Sequence, residues 1–109
     1  MDLPELIAML QMNQDKNFVQ RLLMPDISPI LYFGEPGQWG THLMSGTTLE
    51  NGDTIVYPRI IQPNNGNLKL LDNNEAIKYA LQNNEYIKVK NAEEANYFGK
   101  NYKKIWGWQ

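Results

Sequence analysis

Few side chains in this sequence are suited to catalysis. His42 is the only histidine and cysteine is absent, which excludes a thiolate nucleophile, a disulfide scaffold and a multi-histidine metal site within one chain. Nucleophilic catalysis needs a nucleophile, a base and an orienting group in contact. The nearest serine, Ser45, follows His42 by three residues in a predicted strand, so the two side chains point to opposite faces. A distant partner stays open, but the ordinary role for His42 is that of a strand residue beside Ile61.

Carboxylates and glycine-rich loops offer no stronger candidates. Glu93 and Glu94 are neighbours on a predicted helix and diverge, and most other acidic residues fall in turns, where capping explains them. The glycines of residues 34–40 have no Walker lysine. Residues 51–53 match a fragment of a calcium loop, but the remaining ligand positions are missing. We therefore predict no catalytic residue, no metal and no cofactor, and a protein that is not an enzyme.

The last third of the chain interleaves lysines with aromatic residues, a pattern that single-stranded nucleic acid can use. However, Tyr102 and Trp106 fall on the apolar face of a predicted helix, where core packing is the default role. Arginine, the usual reader of bases and phosphates, occurs only as Arg21 and Arg59. Nucleic-acid binding is therefore the lesser alternative.

Length and composition predict a single globular domain spanning residues 1–109. The chain is 42% hydrophobic with a formal net charge of −2, and no apolar run reaches the roughly 20 residues of a membrane span. No secretory signal pattern opens it. Residues 1–54 carry two basic and seven acidic side chains, and residues 55–109 carry eight and five. This asymmetry could orient the domain on a partner.

The first third predicts helices. Residues 3–12 have an N-cap at Asp2 and an apolar stripe at helical spacing, and residues 15–24 form a second apolar face that ends at Pro25. Asn13 either separates two helices or lies within a longer one.

The clearest β signal is a hairpin of residues 41–49 and 54–61. Asn51-Gly52 favours a type I′ turn. That register places Gly46 opposite Tyr57, and one face then points to the core, formed by Leu43, Thr47, Val56 and Ile60. A second pair, Asn65-Gly66, returns the chain into a strand at residues 68–71 and completes a three-stranded antiparallel meander.

The chain then reads helix, strand, helix. Capping patterns begin helices after Asp72 and Asn91, and residues 86–90 alternate as a strand. The predicted fold class is α+β, with N-terminal helices, the meander and a C-terminal helix–strand–helix. We expect the last helix to pack Phe98, Tyr102 and Ile105 against Ile77, Leu81 and the meander.

Large rings in loops and at the terminus are the candidate interface. Trp39 and Trp108 are flanked by glycine, with little nearby to cover them. Tyr32 and Phe33 belong to the same aromatic loop, and for them packing on the open face of the sheet competes with an interface role. We predict that the domain self-associates or binds a partner through these rings.

Several segments also resemble a small domain of tailed-bacteriophage proteins, which occurs alone and within long virion-associated or polyvalent proteins. The resemblance covers the chain from about residue 16 onward. The matching runs are KNFVQRLLMPD (16–26), GTHLMS (40–45), VYP (56–58), NEAIKYA (74–80), EYIK (85–88), EANYF (94–98) and NYKKIW (101–106).

The resemblance implies a biological context and no catalytic residues. It suggests a non-enzymatic virion-associated protein that acts through protein–protein contacts with a phage structural protein or a host protein. A small phage inhibitor of a host enzyme or defence complex is the alternative. The expected location is the virion or the host cytoplasm.

Overall fold

The chain folds as an α+β domain, as its sequence predicts. The computed structural model describes residues 1–24, 31–32, 39–40 and 43–106. Within these ranges it contains four α-helices and a three-stranded antiparallel sheet. Phe33, His42 and Trp108 lie outside the described residues.

Two separate helices open the chain. Helix α1 spans Leu3–Met12 and α2 spans Asn17–Leu23, so Asn13 does end the first helix. The Asp2 side chain accepts a hydrogen bond from the Glu5 N–H at 2.9 Å, which confirms the predicted N-cap.

The central sheet has the order β3-β4-β7, formed by Met44–Thr48, Thr54–Pro58 and Ile87–Val89. All three strands are antiparallel to their neighbours. Every residue of β4 is buried because this strand is central and both of its faces are covered. The predicted meander is therefore corrected, since the third strand of this sheet comes from residues 87–89.

The hairpin forms with a different turn from the one predicted. Leu49 and Asp53 close the loop, with the Leu49 N–H 2.7 Å from the Asp53 carbonyl oxygen, so three residues lie between them. Gly52 has φ of +93°, whereas Asn51 does not adopt a positive φ. A type I′ turn needs positive φ at both central residues, so the turn is not type I′.

This longer loop shifts the register by one residue. Gly46 pairs with Val56 and Thr47 pairs with Ile55, which corrects the predicted pairing of Gly46 with Tyr57. Because directly paired residues share a face, Thr47 and Val56 lie on opposite faces of the sheet. The predicted common core face is therefore wrong.

Residues 69–70 do form a strand, but this strand pairs with the residues that follow a bend at Arg59 and not with the central sheet. Strands β5 (Ile60–Ile61) and β6 (Lys69–Leu70) pair in a separate two-stranded ladder. The turn between them is a 3₁₀ segment, Pro63–Asn65, in which Asn64 takes the left-handed conformation with φ of 54°. The positive φ thus falls one residue before the predicted Asn65-Gly66 pair.

Helices cover both faces of the central sheet. Helix α3 (Asn73–Asn83) lies over the face that bears Ile55 and Tyr57. Helix α4 (Ala92–Asn101) and the N-terminal helices lie over the opposite face, which bears Val56. The chain continues beyond α4 as a 3₁₀ helix, Tyr102–Trp106.

This two-sided arrangement corrects the predicted partners of Phe98. Phe98 is fully buried and packs in the same cluster as Val56 and Tyr102. Ile77 belongs to the cluster on the other face, and Leu81 is 47% exposed. The sequence identifies the buried face of α4 correctly but cannot show that α3 and α4 lie on opposite sides of one sheet.

Candidate functional site

The predicted aromatic interface is placed only in part. Leu31–Tyr32 (β1) and Trp39–Gly40 (β2) form a two-stranded antiparallel ladder in which Tyr32 pairs with Trp39 along the backbone. Phe33 and Trp108 lie outside the described residues. The interface through these rings therefore stays a prediction.

One ring of the basic C-terminal third, that of Tyr102, is unavailable for stacking on bases. Tyr102 is 5% exposed, and its ring stacks on Phe98 with the centroids 6.2 Å apart. Burial raises the pKa of Tyr102, as expected for a phenol packed in the core. Tyr86 and Tyr97 are half-buried against the two core clusters.

A buried polar cluster joins α2 to the end of α3. Arg21 is 5% exposed and donates to the Ile60 carbonyl oxygen at 2.7 Å and to Asn17 Oδ1 at 3.0 Å. Burial lowers its pKa to about 10, while the charge of Glu85 opposes that shift. Because Arg21 Nε and Nη2 both donate to protein acceptors, we interpret the cluster as a structural connection.

An open groove between β3 and α4 is the strongest candidate binding site. It has a volume of about 290 Å³. Strand β3 forms one wall, α4 from Ala92 to Lys100 forms the other, and the buried side chains of Val56 and Phe98 also line it. The volume lies just below the range of about 300–1,000 Å³ for small-molecule pockets.

The β3 wall is one edge of the three-stranded sheet that the described residues form. Backbone hydrogen bonds join Arg59 to Leu43 and Leu49 to Asp53, both at 2.7 Å. Because bonded pairs alternate along an antiparallel ladder, residues 45 and 47 also face β4, whereas residues 44, 46 and 48 direct their backbone groups away from it. Among the described strands, no other one pairs with this edge.

Small residues bring the two walls together. A Cβ built on Gly46 would lie 3.2 Å from the Ala95 Cβ, which is closer than ordinary contact. Gly99 has nothing within 4 Å of its own Cβ position, so space remains beside the helix. The groove is therefore narrow at Gly46 and open at Gly99.

The groove carries one ionisable side chain, Lys100, among the described residues that line it. A single exposed lysine provides neither an acid–base pair nor a nucleophile with its base. Across the described residues, no group of three or more metal-ligating side chains occurs. The groove can therefore bind through backbone hydrogen bonds and one positive charge.

Sequence reasoning missed this groove, although a signal was present. Residues 44–48 contain no charged side chain and include a glycine, which is unusual for an exposed strand. The predicted register placed Tyr57 opposite Gly46, whereas the observed partner of Gly46 is Val56. Helix α4 covers Gly46.

Comparisons with known proteins add no identification. No protein-family model matches the chain, and no curated protein or solved structure shows significant similarity to it. Within the described ranges, no helix has the length and apolar character needed to cross a membrane.

Proposed function

We propose that this chain is a non-enzymatic, virion-associated bacteriophage protein that acts by binding another protein through the groove between β3 and α4. The observation that carries the binding role is the uncharged edge of β3 beside that groove, with which no other strand of the described residues pairs. Such an edge accepts an extended segment of another chain by strand addition. The phage context is supported by the sequence resemblance.

The lining of the groove supports binding rather than catalysis. Its polar groups are backbone amides, short hydroxyl side chains and Asn96, with Lys100 as the one charged residue. The tyrosines with raised pKa values owe the shift chiefly to burial, as at Tyr57, whose hydroxyl donates to Asn73. None of these features places a reactive group at the groove.

Mass spectrometry of purified phage particles tests the virion role. A virion component should be present in a defined number of copies for each particle. The alternative role, inhibition of a host enzyme or defence complex, predicts absence from particles and recovery of one host protein with the tagged chain. Presence in particles would exclude a purely intracellular inhibitor, and absence would exclude the virion role.

The predicted contacts of Trp39 and Trp108 provide a separate test of the binding surface. If these rings, rather than the groove, bind the partner, replacing both residues by alanine should leave the melting temperature nearly unchanged and abolish co-purification. If the double variant unfolds, the rings belong to the core and the groove alone is left as the candidate surface.

A further inference from the structure

We infer that the partner presents an extended, acidic segment, which adds to the outer edge of β3 and places a carboxylate beside Lys100. This inference rests on the proposed function, because it specifies the chemistry of the segment that the groove would bind. Three features of the described residues support it: the contrast between the two sheet edges, the shape of the groove and its charge.

The two edges of the sheet are protected differently. Strand β7 has three residues, and Lys88 at its centre forms an ion pair with Asp53 at 3.1 Å. Short strands and edge lysines are common means of preventing strand addition. Strand β3 has five residues, no charged side chain and exposed residues at Gly46 and Thr48. An added strand is therefore expected at β3.

The shape of the groove suits an extended chain. Residues 44, 46 and 48 offer backbone donors and acceptors at every second position, which matches the spacing of an added antiparallel or parallel strand. On the helix side, nothing lies within 4 Å of the Cβ position of Gly99, so the open end of the groove has room for a side chain of the added segment. Alternate side chains of a bound strand would enter this space.

The charge of the groove selects an acidic segment. Lys100 is exposed, and no acidic side chain lines the groove among its described residues. Val89, at the end of β7, pairs with Thr54, and Thr54 pairs with Thr48. Helix α4 follows β7 in the chain, so it starts near the Thr48 end of β3. Lys100, at the other end of α4, therefore lies toward Met44, and the carboxylate of the partner is expected there.

Selection from a displayed library of random linear peptides, with the full chain as bait, tests the inference. Enriched peptides should contain Asp or Glu within an alternating, extended pattern. Thr48→Pro removes an outward N–H without breaking the β3–β4 ladder, and it should weaken binding of those peptides about tenfold. Lys100→Glu should weaken binding to a similar extent.

Two matched variants control for side effects. Thr48→Val loses the same hydroxyl, which lies 3.0 Å from Thr54 Oγ1, but keeps the N–H. Lys104→Glu reverses an exposed charge outside the lining of the groove. Both should bind the peptides as the unchanged protein does. Lys100→Glu leaves the backbone intact, so it remains decisive if Thr48→Pro lowers the melting temperature.

The outcomes separate this inference from the proposed function. If Thr48→Pro weakens peptide binding but Lys100→Glu does not, the inference of an acidic segment is wrong, while binding at the groove is supported. Failure to enrich any peptide, or enrichment insensitive to both changes, would overturn the groove as well. Self-association that Thr48→Pro abolishes, measured by sedimentation, would show that the occupant is a second copy and overturn an acidic partner.

Discussion

Gly46 on β3 and Ala95 on α4 are in such close contact that a Cβ at position 46 would lie 3.2 Å from the Ala95 Cβ. The same added atom would lie 3.4 Å from the Ile55 carbonyl oxygen, so it has backbone on one side and a helix on the other. The width of the groove is therefore set by the absence of a side chain at Gly46.

Gly46→Val should lower the free energy of unfolding by about 1–3 kcal/mol, because the isopropyl group must displace α4. Chemical denaturation measures this change. Adding Ala95→Gly to Gly46→Val should restore part of the loss, although Ala95→Gly alone costs about 1 kcal/mol through helix propensity. Simple additivity of the two changes would contradict a direct contact.

Glu85 caps a helix that is distant in sequence. Its carboxylate accepts hydrogen bonds from the backbone N–H groups of Asn17 and Phe18, at 2.8 and 3.1 Å, where the preceding Lys16 provides no side-chain cap. Glu85→Ala should therefore cost about 1–3 kcal/mol of stability. Glu85→Gln should cost less, since one amide oxygen still accepts, and Glu50→Ala in the exposed hairpin loop should change little.

Phe98→Ala should cost roughly 3–5 kcal/mol, because the ring is fully buried. Leu81→Ala serves as the comparison. Leu81 is 47% exposed on α3, so its truncation should change the unfolding free energy by no more than about 0.5 kcal/mol. Equal losses in the two variants would mean that α3 also buries Leu81.

Gly52→Val isolates backbone strain in the hairpin loop. Nothing lies within 4 Å of a Cβ at this position, but its φ is +93°, which a β-branched residue resists. We expect a loss of about 1–2 kcal/mol in thermal or chemical unfolding. Gly99→Ala, also in open space but within a helix, should instead add about 0.5–1 kcal/mol.

The cap of α3 should make stability depend on pH in acid. The Glu75 N–H donates to Asp72 Oδ1 at 2.8 Å and lowers the pKa of Asp72 below its usual 3.8. The folded state thus favours the carboxylate, and this stabilisation is present above pH 3.8 and is lost as the pH falls through the lower folded value.

Melting curves of the unchanged protein and Asp72→Asn test this dependence. The melting temperature of the unchanged protein should fall more steeply in acid than that of Asp72→Asn, which keeps an uncharged cap. Asp72→Ala, which removes the cap, should melt below Asp72→Asn at every pH. Parallel pH profiles for the unchanged protein and Asp72→Asn would assign the acid sensitivity to other groups.

The sequence predicts those structural features that depend on residues only a few positions apart. Asp2, Asp72 and Asn91 each accept a hydrogen bond from the N–H three residues later, as their capping patterns predict. These features are local, so residue type and spacing determine them. The α+β class followed from the same local patterns, since they fix the order of helices and strands.

Long-range arrangement was not predictable in the same way. The register of β3 against β4 depends on the length of the loop between them. The observed shift of one residue places Val56 and Thr47 on opposite faces of the sheet. The pairing of β4 with β7 and the cap from Glu85 join segments with no common pattern. The groove was missed for this reason, because it forms only when α4 crosses β3.

The sheet order also affects how the protein can form during synthesis. Strand β4 pairs on one side with β3, which precedes it directly, and on the other with β7, which follows α3. On a ribosome that adds about 5–20 residues each second, the β3–β4 hairpin emerges before β7 does. Until then, Ile55 and Val56 lack a neighbour on that side, so the nascent chain exposes an aggregation-prone strand that the finished domain keeps buried.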